Sequence, residues 1–329
     1  MIGVAQAIYA LSVIHKEVEE VVLVSFPGFE GASGARNFAE TTRLVSSVCK
    51  VLGIDFSEMS VDKLREIAPL EPSQFVDIGV SIRLEKENRF LNPIHFACQV
   101  EHVNIMRPSL FRGVNYSLVK RFDLLRKIVL PLGMREFYSL APKPKCGLIL
   151  TEKIIDRVEL RALREEIVKG LRKNLDYYWL ETPPFNKKSK AVIALPFANH
   201  FGGSEYINRR IFEIAIERAY ISNIDLLIVK NHPSDGSQYE LFFENLETQG
   251  INVCFMQSQS HRIFPLELLL ECFEGIQFVG AESTAIMTSP FDQMRKPVIV
   301  EEAGRRSKRY RNYDIGEIRN LYEAERLYL

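Results

Sequence analysis

The sequence is short of the features that mark secreted, membrane-spanning or nucleic-acid-coating proteins. Its 329 residues hold five cysteines, Cys49, Cys98, Cys146, Cys254 and Cys272, which are scattered, odd in number and never in a CxxC pair. That usage argues against a disulfide framework or a zinc site and suits reduced thiols in a cytoplasmic protein. No apolar run approaches the roughly 18–20 residues needed to cross a bilayer. The apolar start, Met1 to His15, lacks the basic opening and small-residue cleavage site of a signal peptide. Charge of one sign is also missing: 42 Lys plus Arg balance 42 Asp plus Glu. Bulk affinity for nucleic acid or anionic lipid is therefore not expected. One basic run, Arg305–Arg311 (RRSKRYR), leaves peripheral contact with an inner membrane open, with a solvated segment the stronger expectation. No GxGxxG fingerprint appears, so nicotinamide binding is not supported.

What is present is an ordinary globular composition, 47% hydrophobic and 26% charged. The length suits one large domain or two medium ones, and such a chain buries enough apolar surface to fold without metals or disulfides. In the first half, Ala5–Lys16 reads as a helix and Val21–Phe26 (VVLVSF) as a buried strand stopped by Pro27-Gly28. Ala35–Leu52 has helical spacing and ends at Gly53, a natural cap. Asp62–Ile67 and Tyr116–Leu130 read as helices, and Val76–Ile82, Ile94–Val100 and Leu148–Leu150 as strands. Val158–Asn174 reads as a charged helix. Glu181–Lys190 (ETPPFNKKSK) joins two prolines to a basic polar run, the best interdomain linker in the chain. The expected division is an N-terminal domain over residues 1–185 and a C-terminal one over 186–329.

After that linker the pattern becomes regular. Strands are expected at Ala191–Leu195, Asp225–Val229, Asn252–Phe255, Ile276–Val279 and Pro297–Val300. Helices are expected at Glu205–Ser222, Gln238–Gln249, Pro265–Phe273 and from Ser283 to Thr288. Arg305–Leu329 reads as a terminal helix packing across the domains. Strands alternating with helices imply an α/β domain with a parallel sheet covered on both faces.

Ligands in such sheets bind at the carboxyl ends of the strands, where helix N-termini and loop amides converge. Four segments fall there. Lys230-Asn231-His232-Pro233 follows a strand. Its histidine, fixed by the proline, suits donation to a phosphate or leaving-group oxygen, and equally a satisfied turn. Gly280-Ala281-Glu282-Ser283-Thr284 offers two hydroxyls to an anion at a helix start, or simply an N-cap. In Pro265-Leu266-Glu267-Leu268 the carboxylate suits either the two hydroxyls of a ribose or the helix dipole. Gly202-Gly203-Ser204, ahead of Glu205–Ser222, permits close approach of backbone to a ligand.

In order and spacing, "AVIALP", "LLIVKNHPSDG", "FPLELLL" and "FVGAESTAIMTSP" resemble the bacterial sialyltransferases of two-lobed GT-B fold, including the polysialyltransferase-like and lipooligosaccharide families. The resemblance covers Ala191–Pro290 and touches the first half only at "AQAIYALSVIHK" and "VVLVSFPGFEG". It implies two Rossmann-type parallel-sheet lobes with a cleft between them. It further implies inverting transfer of sialic acid from CMP-sialic acid to a glycan acceptor, without metal or other cofactor, in agreement with the lack of a convincing DxD pair. On this resemblance His232 and Pro233 contact the donor phosphate, Ser283 and Thr284 bind the same phosphate, and Glu267 lies near the ribose. The family's acidic pair followed by glycine is missing. The nearest positional match for the general base is Glu101 in "CQVEHVN", ahead of Glu30 in "GFEGASG". Related CMP-Kdo or CDP-glycerol transferases, and a non-catalytic nucleotide-sugar-binding protein, remain alternatives.

Overall fold

A computed structural model describes residues 11, 16, 19–25, 34–60, 75–77, 102–106, 134–139, 152–154, 156–186, 188–197, 204–232, 237–243, 250–281, 294–301 and 324–329. The chain divides into two compact units, Met1–Leu163 with Asn312–Asp314, and Arg164–Arg311 with Ile315–Leu329.

In the first unit, β1 (Glu20–Ser25), α1 (Gly34–Val51) and β2 (Asp55–Ser60) form a β-α-β element whose strands pair in parallel, Val21 opposite Phe56 and Leu23 opposite Glu58. Helix α1 buries Thr41, Leu44, Val45 and Val48, a stripe at helical spacing. It ends where expected: Gly53 takes φ +69 and Ile54 N–H donates to the Cys49 carbonyl at 2.9 Å. That left-handed turn satisfies a carbonyl the helix leaves open.

A separate sheet contains β3 (Phe75–Asp77), β4 (His102–Met106), β5 (Met134–Ser139) and β6 (Glu152–Ile154), in that spatial order. β3/β4 and β4/β5 are antiparallel and β5/β6 parallel. The described residues of this unit therefore form a parallel pair and a mixed sheet, not one all-parallel sheet. β4 begins at His102, beyond the strand expected over Ile94–Val100.

Helix α2 (Arg157–Leu171) is capped by Asp156, whose carboxylate accepts from Val158 N–H at 2.7 Å and Glu159 N–H at 3.2 Å. The division between the units falls within this helix. Residues 181–190, read as a linker, lie inside the second unit. There Trp179 packs edge-on against Phe185 and Phe264, and Arg172 donates to the Phe185 carbonyl at 2.9 Å.

The second unit is built on β7 (Ser189–Leu195), β8 (Leu226–Lys230), β9 (Asn252–Met256), β10 (Phe273–Gly280), β11 (Val298–Glu301) and β12 (Glu325–Tyr328). All neighbours pair in parallel, in the order β12-β11-β10-β7-β8-β9. Counted from β7 this is the 3-2-1-4-5-6 order of the Rossmann sheet. β7 and β8 are continuous apolar runs, as strands covered on both faces must be. One face carries α3 (Glu205–Ile221), whose Ile207, Ile211, Phe212, Ala215 and Ala219 join Val192, Ala194, Leu227, Val229, Val279, Val298 and Val300 in one core. Phe242 and Phe243 of α4 (Glu240–Phe243) pack around Phe212. Leu226, Ile228 and Lys230 alternate with that set, so they belong to the opposite face.

Two expectations for this unit are corrected. The residues read as one helix over Pro265–Phe273 form α6 (Leu266–Leu269), a 3-10 turn over Leu270–Cys272, and the start of β10 at Phe273; α5 (Gln259–Ile263) precedes them. Pro265 supplies no N–H to a longer helix. The end of the expected terminal helix is strand β12. Its alternation packs half-buried Leu327 and Leu329 against the core, while Glu325 pairs with Arg218 at 2.7 Å and Arg326 with Glu301. Cys49, Cys254 and Cys272 are free thiols. Among the described residues no helix is long and apolar enough to cross a membrane.

Where β7 and β10 end side by side, Gly280 has φ +127 and Ala281 N–H donates to the Leu195 carbonyl at 2.8 Å. A Cβ on Gly280 would lie 2.9 Å from the Leu195 carbonyl carbon and closer still to its oxygen. At Gly250, φ +86, a Cβ would meet nothing within 4 Å. Gly250→Ala should therefore cost about 1–2 kcal/mol, the left-handed penalty alone. Gly280→Ala should cost more than that and lower the urea midpoint further, because backbone must shift at the centre of the sheet. Equal midpoints for the two variants would refute this account.

Candidate functional site

The sheet order reverses between β7 and β10, the topological switch point at whose carboxyl edge open α/β sheets bind their ligands. Residues from β7, β8, β9 and β10 converge on that edge. After β7, Asn208 of α3 holds the departing chain: its Oδ1 accepts from Phe197 N–H at 2.8 Å, and its Nδ2 donates to the Phe197 carbonyl at 3.0 Å. The same amide nitrogen donates to Tyr239 Oη at 3.3 Å. One buried asparagine thus links the loop after β7 to the segment after β8. Ser204, the residue after the expected Gly202-Gly203 approach, is the N-cap of α3, accepting from Ile207 N–H at 3.2 Å.

The end of β8 carries Lys230, Asn231 and His232. Lys230 continues the apolar phase of Leu226 and Ile228 and is therefore buried, 5% exposed. Its ammonium donates to the Arg262 carbonyl at 2.6 Å and the Asn231 carbonyl at 3.2 Å. Burial outweighs the favourable charge of nearby Glu267, and the positive charge of Arg262 adds to burial. The lysine pKa is lowered to about 7. His261, whose ring lies 4.6 Å from that of Trp179, is also lowered, by burial first and by the Lys230 charge second. Asn231 is 1% exposed, and its Nδ2 donates to the Ser237 carbonyl at 2.8 Å, closing the loop over residues 231–237. His232 is half-buried at the strand end.

The structure places His232 just past β8, at the carboxyl edge of the sheet. Glu267 is placed differently: it is 4% exposed, in the first turn of α6, where its charge acts on Lys230. A carboxylate waiting for ribose hydroxyls needs access, and this one has an internal cationic neighbour. Pro233, Ser283, Thr284, Gly202, Gly203, Glu101 and Glu30 lie outside the described residues. Lys230 is the buried residue at this edge whose placement motif reading passed over. Its signal was a lysine closing the run LLIVK in phase with two core positions. Among the described residues no group of three or more His, Cys, Asp or Glu side chains is arranged to hold a metal ion.

The chain matches no protein-family model and no curated protein in sequence. The strand order defines a Rossmann-like parallel α/β unit.

The Lys230 amine adds a measurable pH dependence. Its folded pKa, about 7, lies below the ordinary 10.5. Between those values the unfolded chain binds the extra proton, so stability rises with pH, by at most about 1.4 kcal/mol per unit. Below pH 7 the full penalty of the buried charge applies. Denaturant titrations should show wild type gaining stability relative to Lys230→Met from pH 7 to pH 9. A constant difference across that range would mean the lysine stays charged in the fold.

Proposed function

We propose that the second unit binds the nucleotide of a CMP-sugar and that the chain is an inverting, sialyltransferase-type glycosyltransferase of GT-B architecture. One observation carries the reading: a 3-2-1-4-5-6 parallel sheet with the histidine of a Lys-Asn-His-Pro sequence at the carboxyl end of β8. A half-buried imidazole there is suited to donate to the departing phosphate, lowering the charge that develops as the anomeric bond breaks. The motif resemblance over Ala191–Pro290 supplies the donor class and assigns phosphate contacts to Ser283 and Thr284 together with His232 and Pro233. The glycan hydroxyl attacks the anomeric carbon while a carboxylate, Glu101 in this reading, takes its proton and CMP leaves.

The geometry revises one role within the proposal. Glu267, close to Lys230, supports the floor of the site through that lysine rather than bonding the ribose directly. A CMP-Kdo or CDP-glycerol transferase would use the same edge with another donor.

Calorimetry with CMP tests the reading. Wild type should bind, and His232→Ala should weaken binding by about 1–3 kcal/mol, the value of a hydrogen bond to a charged group. Protection by CDP-glycerol but not CMP would favour the phosphotransferase alternative. Absence of binding to any cytidine nucleotide would remove the transferase reading.

A further inference from the structure

β8 and β9 end in register, Lys230 opposite Met256, so the next residues, Asn231 and Gln257, leave the sheet side by side at its carboxyl edge. Both carry a buried amide oxygen, Asn231 Oδ1 and Gln257 Oε1, with no hydrogen-bond partner. The orientation of the Asn231 amide is fixed, because its nitrogen donates to the Ser237 carbonyl at 2.8 Å and leaves the oxygen as the open end. An unmet buried acceptor is costly, and two on adjacent strand ends call for N–H donors from a bound group. Neither position offers a charge, which disfavours an ammonium ion or a metal as the occupant and suits a neutral planar amine. In a Rossmann sheet this edge is where a nucleotide lies.

We infer that Asn231 and Gln257 form the base-reading end of the nucleotide site, their side-chain oxygens accepting from the exocyclic amine of a cytosine. The inference rests on the CMP reading above and deepens it by assigning the discrimination between cytosine and uracil. Uracil presents a carbonyl where cytosine presents the amine, so it would set acceptor against acceptors. A site built to bond a polar group rejects the analogue that lacks it far more strongly than an apolar pocket rejects a size change.

The test compares CMP, UMP and N4,N4-dimethyl-CMP by calorimetry on the full chain. Wild type should bind CMP at least about tenfold more tightly than either analogue, each unmet acceptor being worth roughly that factor. Gln257→Leu and Asn231→Leu should each move the CMP-to-UMP ratio toward one. Should Asn231→Leu fail to fold through loss of the Ser237 bond, Gln257→Leu and the dimethyl nucleotide carry the test alone. CMP binding with equal affinity for the analogues, or with a ratio unchanged in the folded variants, overturns base reading and leaves the CMP site standing. No CMP binding by wild type overturns both.

Discussion

The second unit depends on a close approach of two backbones. Gly280 and Leu195 end adjacent strands at the point where the sheet changes winding direction, and the Ala281 N–H bond to the Leu195 carbonyl ties them there. A side chain at position 280 would occupy the space that lets β10 lie against β7. Everything at the carboxyl edge is referred to that junction. It sets the register of the four strands that deliver Phe197, His232, Gln257 and Ala281.

The two faces of this sheet are stabilised differently. On the α3 side an apolar core runs from β9 to β12, with a buried hydrogen bond between Asn208 and Tyr239 beside it. On the opposite side charges are buried. Lys230 lies near Glu267, and Arg164 faces Glu271 at 3.1 Å with both side chains almost fully enclosed. Buried ion pairs contribute little net stability but penalise any arrangement that separates them. Lys230 adds hydrogen bonds to carbonyls of two separate segments, so the end of β8 and the end of α5 cannot shift independently.

Much of the second unit was legible because its strands are apolar runs of buried length and its main helix has a clean apolar stripe. Some elements of the chain were not, β2 of the first unit and β12 of the second among them. β2, DFSEMS, has no apolar run at all; pairing with β1 makes it a strand. β12, ERLY, follows a basic stretch and reads as the end of a helix until Leu327 and Leu329 are seen to pack against the core. The position of His232 at a strand end was legible, because its motif follows an obvious strand. The placement of Glu267 was illegible, since a glutamate in a first helical turn satisfies the dipole rule wherever it points. Lys230 was hidden by its own chemistry: a charged residue ending a strand reads as solvated unless its phase with Leu226 and Ile228 is followed.

The aromatic cluster of the second unit has a spectroscopic consequence. Trp179 is the chain's single tryptophan, so indole emission reports on this unit and not on the first. The ring lies against His261, whose imidazole burial keeps neutral to lower pH than usual. Quenching by a protonated imidazole is therefore deferred to acid conditions, and at neutral pH the fluorophore senses packing around Phe185 and Phe264. Loss of that emission separates melting of the parallel sheet of the second unit from events elsewhere in the chain.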